Sequence, residues 1–452
     1  MKKTNKGEQV MDLDKMLCEK KRSAAEVAAM VESGWAVDYG FSISQPDVFD
    51  AALAMRRDAL QNVRIRNAIS VKSRKVLEVD PEQQHFHVEN WHFSAYDRKQ
   101  YDEGVTSYIP FNFGEGPRLY REYLDVDLVV LKTTPMDKHG FFNFGATASY
   151  LRAVCDKARR VVVETSTAMP ACYGVENVVH ISEVAAVIEG DNAPMAELPN
   201  TPISDVDRRV AEFIIPEIED GACLQIGIGG MPNAVCSALA HASVKNLGIH
   251  TEMFVDGMVD LVESGRVTGL RKQTYRGKIV FTFALGTQRT YDFIDGNEMC
   301  MSLPVDETNL TENIARNRKV VSINNAMQID LMGQVASESA GFKHRSGTGG
   351  QLQFVRGAVM SEGGKSFMCL SSRYMKGKQP QSRIVVGHPP GTVITTPRTD
   401  VMYVVTEFGI VNLKGKSVPD RVKALIGIAH PDDREILERQ ARESGLLPRR
   451  FL

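Results

Sequence analysis

The residue types whose spacing could do chemistry cluster in the second half of the chain, around three glycine-rich turns and two glutamates. The apolar run Cys223-Leu224-Gln225-Ile226 reads as a strand that enters Gly227-Ile228-Gly229-Gly230-Met231-Pro232, and a helix opens at Pro232 and continues through Val235 and Leu239. Strand, glycines and helix start leave bare backbone N–H groups at a helix N-terminus, which can cradle a phosphate or an oxyanion. The spacing is G-x-G-G-x-P. Proline stands where the dinucleotide fingerprint has its third glycine, and no Lys-Ser/Thr follows as in a P-loop, so NAD and ATP readings both weaken. A tight strand-to-helix turn without a ligand fits the same residues equally well.

The segment Leu247 to Phe254 alternates, with Ile249, Thr251 and Met253 on one face and His250, Glu252 and Phe254 on the other, which predicts a strand. Asp256-Gly257 ends it, and Met258, Val259, Leu261 and Val262 start a helix. Glu252 therefore lies near the carboxyl end of a strand, the edge where open α/β sheets gather ligands. A salt-bridged or solvated carboxylate is the bland alternative. A further glycine cluster, Ser346-Gly347-Thr348-Gly349-Gly350-Gln351, precedes the apolar alternation of Leu352, Phe354 and Val355, and Thr406-Glu407-Phe408-Gly409 follows another strand. Together these features suggest a pocket, although each alone is more often a turn. His85, His87 and His92 are candidates for a metal, but no further ligand stands at suitable spacing, which favours solvated strand histidines. The basic run Arg266, Arg271, Lys272, Arg276 and Lys278 reads as a solvated face.

Positioning such groups requires a layered scaffold, and the sequence predicts one. Short β-branched runs, among them Leu128-Val129-Val130-Leu131, Val161-Val162-Val163, the stretch Lys278 to Phe283, and Tyr403-Val404-Val405, alternate with amphipathic helical segments. That rhythm predicts α/β layers with largely parallel sheets. Between Gly190 and Ser204 a polar stretch with Pro194, Pro199 and Pro202 reads as a linker, giving two tandem open α/β domains at about residues 1–192 and 203–452. Ser204 and Asp207 mark the next helix start, whose apolar face carries Val206, Val210, Phe213 and Ile214.

The 452 residues suffice for two or three domains with large cores. Lys plus Arg number 54 against 56 Asp plus Glu, a formal charge of −2, so the pervasive positive field of a nucleic-acid or anionic-lipid binder is missing. Hydrophobic residues at 43% with 24% charged exclude a disordered chain. Seven scattered cysteines without a C-x-x-C pair predict reduced thiols rather than a disulfide framework or zinc knuckle. The charged stretch Met1 to Glu8 lacks a following apolar segment, and no apolar run approaches the roughly 18 residues of a membrane span, which predicts a soluble cytoplasmic protein.

Several longer motifs resemble the acetyl-CoA hydrolase/transferase family, in the branch of butyryl-CoA:acetate and 4-hydroxybutyrate CoA-transferases. They are Gly227 to Val235, Gly248-Ile249-His250-Thr251-Glu252-Met253, and Asp256-Gly257-Met258-Val259-Asp260-Leu261. Pro135 to Phe141 and His180-Ile181-Ser182-Glu183 match in the first half; Ser346 to Ala358, Val405 to Gly409, and Leu413 to Lys416 match in the second. The likeness covers nearly the whole chain in order. It implies that Glu252 is the nucleophile, that Asn309 serves an oxyanion hole, and that Gly227, Ile228, Gly229, Gly230, Met231, Met327, Gly350 and Lys376 contact CoA. Two departures stand out: Leu310-Thr311 follows Asn309 where relatives often carry a proline, and Gln353 stands where they usually have Asp.

The implied activity is acyl-CoA:carboxylate CoA transfer between small organic acids, by a ping-pong route through a glutamyl-CoA thioester. No metal and no tightly bound cofactor is implied; coenzyme A and acyl-CoA are substrates, and self-association is expected by analogy. The acids would be acetate, butyrate or 4-hydroxybutyrate, or a dicarboxylate such as itaconate with succinyl-CoA, a choice that Gln353 and the Arg373 loop leave open. A thioester hydrolase would share the carboxylate and admit water. A non-catalytic acyl-CoA sensor would need no carboxylate at 252.

Overall fold

The computed structural model describes residues 12–448, so the charged stretch Met1 to Glu8 lies outside the described residues. Two open sheets organise the chain. The first has seven strands, all parallel, in the spatial order Thr106–Tyr108, Phe86–Asn90, Val63–Ala68, Ala36–Phe41, Leu128–Thr133, Arg160–Thr165 and Ala186–Glu189. The second has six, in the order Gly248–Ile249, Cys223–Ile226, Val320–Asn325, Lys365–Cys369, Tyr403–Thr406 and Gly409–Asn412, parallel except for the last hairpin pair. Strands buried on both faces explain the unbroken apolar runs, since helices cover each sheet on either side. Leu128 to Leu131 and Val161 to Val163 are buried throughout.

Residues of both halves share the largest core. It joins Phe41, Leu131 and Val163 of the first sheet to Leu224, Phe281 and Val405 of the second part. Main-chain bridges cross as well: Thr147 pairs with Phe283 and Ser149 with Pro304. The proline-containing stretch after Gly190 carries no regular element, yet it is fastened along its length. The Leu198 N–H donates to the Gly286 carbonyl at 2.9 Å, the Tyr291 hydroxyl to the Ala196 carbonyl at 2.6 Å, and the Asn200 amide to Asp256 at 3.2 Å. The Ser204 capping box is present, with Asp207 closing it, and the helix it starts runs Asp205–Ile214.

Four local expectations need correction. The helix after the first glycine turn is Gly230–His241, so Pro232 sits inside its first turn, where its missing N–H costs no hydrogen bond. The Leu247 to Phe254 strand is two strands, Gly248–Ile249 and Met253–Phe254, and the second pairs with Phe283–Ala284 outside the main sheet. Likewise Lys278 to Phe283 breaks at Thr282. Leu352, Phe354 and Val355 belong to a helix, Gln351–Met360, not to an extended alternation. All seven cysteines are unpaired and all but Cys18 are buried. Among the described residues no helix is long and apolar enough to cross a membrane.

Candidate active site

Glu252 occupies the point where the chain leaves one sheet and joins another. The His250 N–H still donates to Leu224 of the main sheet at 3.1 Å, whereas the Glu252 carbonyl accepts from Thr282 and Phe283 at 3.0 and 3.2 Å. Both neighbours are locked, so the bend that projects the Glu252 side chain is fixed by main-chain pairing on either side. The carboxylate is received by two donors. Asn309 Nδ2 lies 2.6 Å from Glu252 Oε2, and the Gly350 N–H provides the second hydrogen bond. The Thr308 hydroxyl, 2.8 Å from Asn309 Oδ1, sets the amide so that its NH₂ faces Glu252.

Around these groups Phe41, Ile69, Trp91, His92, Phe111, Phe113 and Gly349 line a narrow cavity onto which Glu252 opens. Phe41 ends its strand and Ile69 follows the next, so the first sheet presents its carboxyl edge to the bend of the second part that bears Glu252. Desolvation among these rings raises the Glu252 carboxyl from its ordinary range to about 7, against the lowering effect of the Asn309 and Gly350 hydrogen bonds. Gly350 is required here for space. Its φ is an ordinary −98°, but a Cβ would overlap Glu252 Oε2 and Asn309 Nδ2.

The predicted CoA-contacting residues fall into three places. Gly227 to Met231 turn at the end of Cys223–Ile226, with Gly229 at φ +116°, a backbone conformation that side-chain-bearing residues rarely adopt. The Asn325 amide donates to the Ile228 carbonyl at 3.1 Å, which sets the half-buried Met327 turn beside these glycines. Ile228 and Gly229 also border a cavity of about 250 Å³ that is shared with Asn200, Val255, Asp256 and Gly286. Gly350 belongs with Glu252. Lys376 stands apart, exposed on the hairpin Arg373–Lys376 with Gln379–Ser382.

Other candidates prove structural. Glu407 is held by the Ser372 N–H at 2.8 Å and hydroxyl at 2.5 Å. Arg373 forms a two-pronged ion pair with Asp433, at 2.7 and 2.6 Å, and reaches Asp432 as well. Gln353 is buried, and its side-chain oxygen accepts the Gly114 N–H at 2.9 Å, tying the Phe113 loop of the first half to the Gln351–Met360 helix. Lys272 is buried, not solvated; it donates to the Ile249 and Lys278 carbonyls at 2.9 and 2.8 Å. Among the described residues no cluster of three His, Cys, Asp or Glu could hold a metal ion.

His92 is not the solvated strand histidine that the sequence suggests. It lies just beyond the Phe86–Asn90 strand and lines the Glu252 cavity, with Nε2 3.2 Å from the Ser346 hydroxyl. Burial and the neighbouring His344 push it down to about 4, so it is neutral near pH 7. Nothing local marks it.

Family models for the acetyl-CoA hydrolase/transferase N-terminal and C-terminal domains match residues 1–199 and 286–441. The chain is similar to butyryl-CoA:acetate CoA-transferase of Anaerostipes caccae, 44% identical over 431 residues, or 94% of this chain and 97% of that one. It is similar to succinyl-CoA:cyclohexane-1-carboxylate CoA transferase of Geobacter metallireducens, 43% identical and covering 93% and 94% of the two chains. Among solved structures, RipA from Yersinia pestis superposes with a TM-score of 0.89 at 35% identity, covering 97% of this chain and all of that one. An acetyl-CoA hydrolase of Candida albicans is more distant, 24% identical over 68% of this chain and 64% of its own length.

Proposed function

The chain belongs to the acetyl-CoA hydrolase/transferase family and is a CoA-transferase, and we propose that it moves CoA between small monocarboxylic acids through a glutamyl-CoA thioester on Glu252. The observation that carries this reading is the carboxylate itself, held by the Asn309 amide and the Gly350 N–H and facing an aromatic-walled cavity. Moving CoA between acids without losing thioester energy requires a covalent carrier of similar energy, and a carboxylate is one.

Ionised Glu252 attacks the acyl-CoA carbonyl; the thiolate of CoA leaves and a mixed anhydride forms. The thiolate then attacks the glutamyl carbonyl of the anhydride, which forms the glutamyl-CoA thioester and expels the first acid as its carboxylate. The second acid reverses both steps. Each addition places negative charge on a carbonyl oxygen, and the Asn309 NH₂ and Gly350 N–H are the donors at hand for it. In this reading residues 203–452 supply the nucleophile and the CoA-contacting turns, while residues 1–192 supply most of the acyl cavity wall. The apolar rings at Phe41, Trp91, Phe111 and Phe113 favour an aliphatic or alicyclic acid.

Incubation with acyl-CoA alone followed by borohydride tests the reading. The expected result is reduction of a glutamyl thioester on the peptide containing His250 to Met253, with the adduct discharged to new acyl-CoA when acid is added. Free CoA released at one rate with or without acid would instead mean hydrolysis. CoA binding with neither adduct nor turnover would mean a sensor.

Acidity provides a second expectation. The attacking form is the carboxylate, so kcat/KM for acyl-CoA should fall about tenfold per pH unit below an acid limb near 7, well above the ordinary glutamate range. Asn309→Ala removes a hydrogen bond that favours the charged form. The limb should move to higher pH, and the plateau should drop by about 10²–10³. A limb near that of an ordinary glutamate in the unaltered protein would contradict the assignment.

A further inference from the structure

His250 is buried two residues before Glu252, and Nε2 lies 2.9 Å from the Thr308 carbonyl. A carbonyl only accepts, so Nε2 carries the proton and Nδ1 is left bare; Nδ1 is buried without a partner, on a ring that faces Phe354. Thr308 is the penultimate residue of the short helix Val305–Asn309, whose terminal carbonyls have no partner within the helix. The next residue is Asn309, which returns a hydrogen bond to Glu252 at 2.6 Å. The two segments are thus joined by two rungs of opposite sense: residue 250 donates to 308, and 309 donates to 252. One rung would leave the helix end free to swing about it. Two fix both the position and the angle of the Asn309 amide relative to the carboxylate.

We propose that His250 is a positioning residue for the transfer reaction, holding the Thr308 carbonyl so that the adjacent Asn309 amide meets Glu252 in the orientation needed for attack and for binding the oxyanion. This rests on the reading of Glu252 as the nucleophile. The imidazole takes no part in proton transfer. The segment on its other side is fixed independently, because Lys272 donates to the Ile249 carbonyl and Leu224 accepts the His250 N–H.

The test uses amides that place an N–H at one or the other ring-nitrogen position. Glutamine reaches about as far as Nε2, asparagine about as far as Nδ1. His250→Asn should therefore lower kcat by about 10²-fold while leaving the acyl-CoA KM within a few-fold, the scale expected when a reacting group is misplaced by about 1 Å. His250→Gln should recover most of the loss. In an Asn309→Ala background, His250→Asn should cost little more, since the rung it supports is already gone. Equal losses in the Asn and Gln variants, unchanged kcat per folded molecule, or a full multiplicative loss in the double variant would each overturn the proposal. Should His250→Asn not fold, His250→Gln carries the test by itself: kcat within a few-fold of that of the unaltered protein is expected, and a loss of about 10²-fold in a folded sample would overturn the proposal. Borohydride labelling of the unaltered protein separates the two readings: absence of label on Glu252 refutes the nucleophile, whereas label together with unaffected His250 variants refutes only the positioning role.

Discussion

Glu252→Ala is expected to abolish CoA transfer, with kcat reduced by on the order of 10⁴–10⁶ while the protein remains folded, because a covalent carrier has no substitute once removed. The fold should tolerate the change. The side chain is half-buried and its carboxyl is already destabilised in the charged form, which is why its pKa rises to about 7. Removing it therefore relieves a desolvation cost while giving up the Asn309 hydrogen bond. Glu252→Gln should be equally inactive, since the neutral amide is a poor nucleophile although it keeps the size and the hydrogen-bonding oxygen. Glu252→Asp keeps the charge but withdraws it by one methylene from Asn309 and Gly350, and should retain only a trace of activity. The measurement is steady-state transfer together with thermal unfolding of each variant. Turnover near that of the unaltered protein in Glu252→Ala, in a folded sample, would end the nucleophile assignment.

Much of this centre was legible from residue types alone, for physical reasons that also mark where legibility stopped. Leu128 to Leu131, Val161 to Val163 and Cys223 to Ile226 are strands because apolar, largely β-branched runs bounded by turns fit a sheet buried on both faces. Ser204 and Asp207 form the expected capping box because that interaction is wholly local. Glu252 stood out as a carboxylate in an apolar, alternating segment. The break on either side of it was not visible, because alternation records which way side chains point and not which strand the backbone pairs with. Leu352, Phe354 and Val355 were too few to distinguish period two from a helix face, and Ala358, one helical turn beyond Phe354, completes the helical pattern. Lys272 looked solvated within a basic run because its two carbonyl acceptors belong to Ile249 and Lys278, and only the fold brings those together. His92 reads as a solvated strand histidine for the same reason, since it enters the cavity from the first half, and the backbone partner of Gln353 lies 239 residues away, beyond the reach of any local pattern.

Gly350→Ala is expected to be the most damaging change that removes no functional group. Alanine accepts the backbone conformation at this position without strain, since φ is −98° and ψ is 4°. The entire effect must then come from the added methyl, which would stand closer to Glu252 Oε2 and Asn309 Nδ2 than carbon atoms approach in real structures. Either the carboxylate or the amide has to move, and their mutual hydrogen bond at 2.6 Å cannot survive the displacement. A loss of about 10²–10³ in kcat is the scale for one disrupted oxyanion donor, and acyl-CoA KM should change far less. Gly229→Ala provides the contrast. There the φ of +116° imposes backbone strain, while the nearest group, the Asn325 amide at 3.2 Å, has some room to yield. That variant should lose stability by about 1–2 kcal/mol and weaken acyl-CoA binding, while kcat at saturation is largely kept. Kinetics of the two variants side by side therefore separate the turn proposed to contact CoA from the glycine that seats Glu252, the proposed nucleophile. If Gly350→Ala kept its kcat, or if both variants changed only KM, the pairing of Glu252 with Asn309 and Gly350 would not be the arrangement in which the reaction occurs.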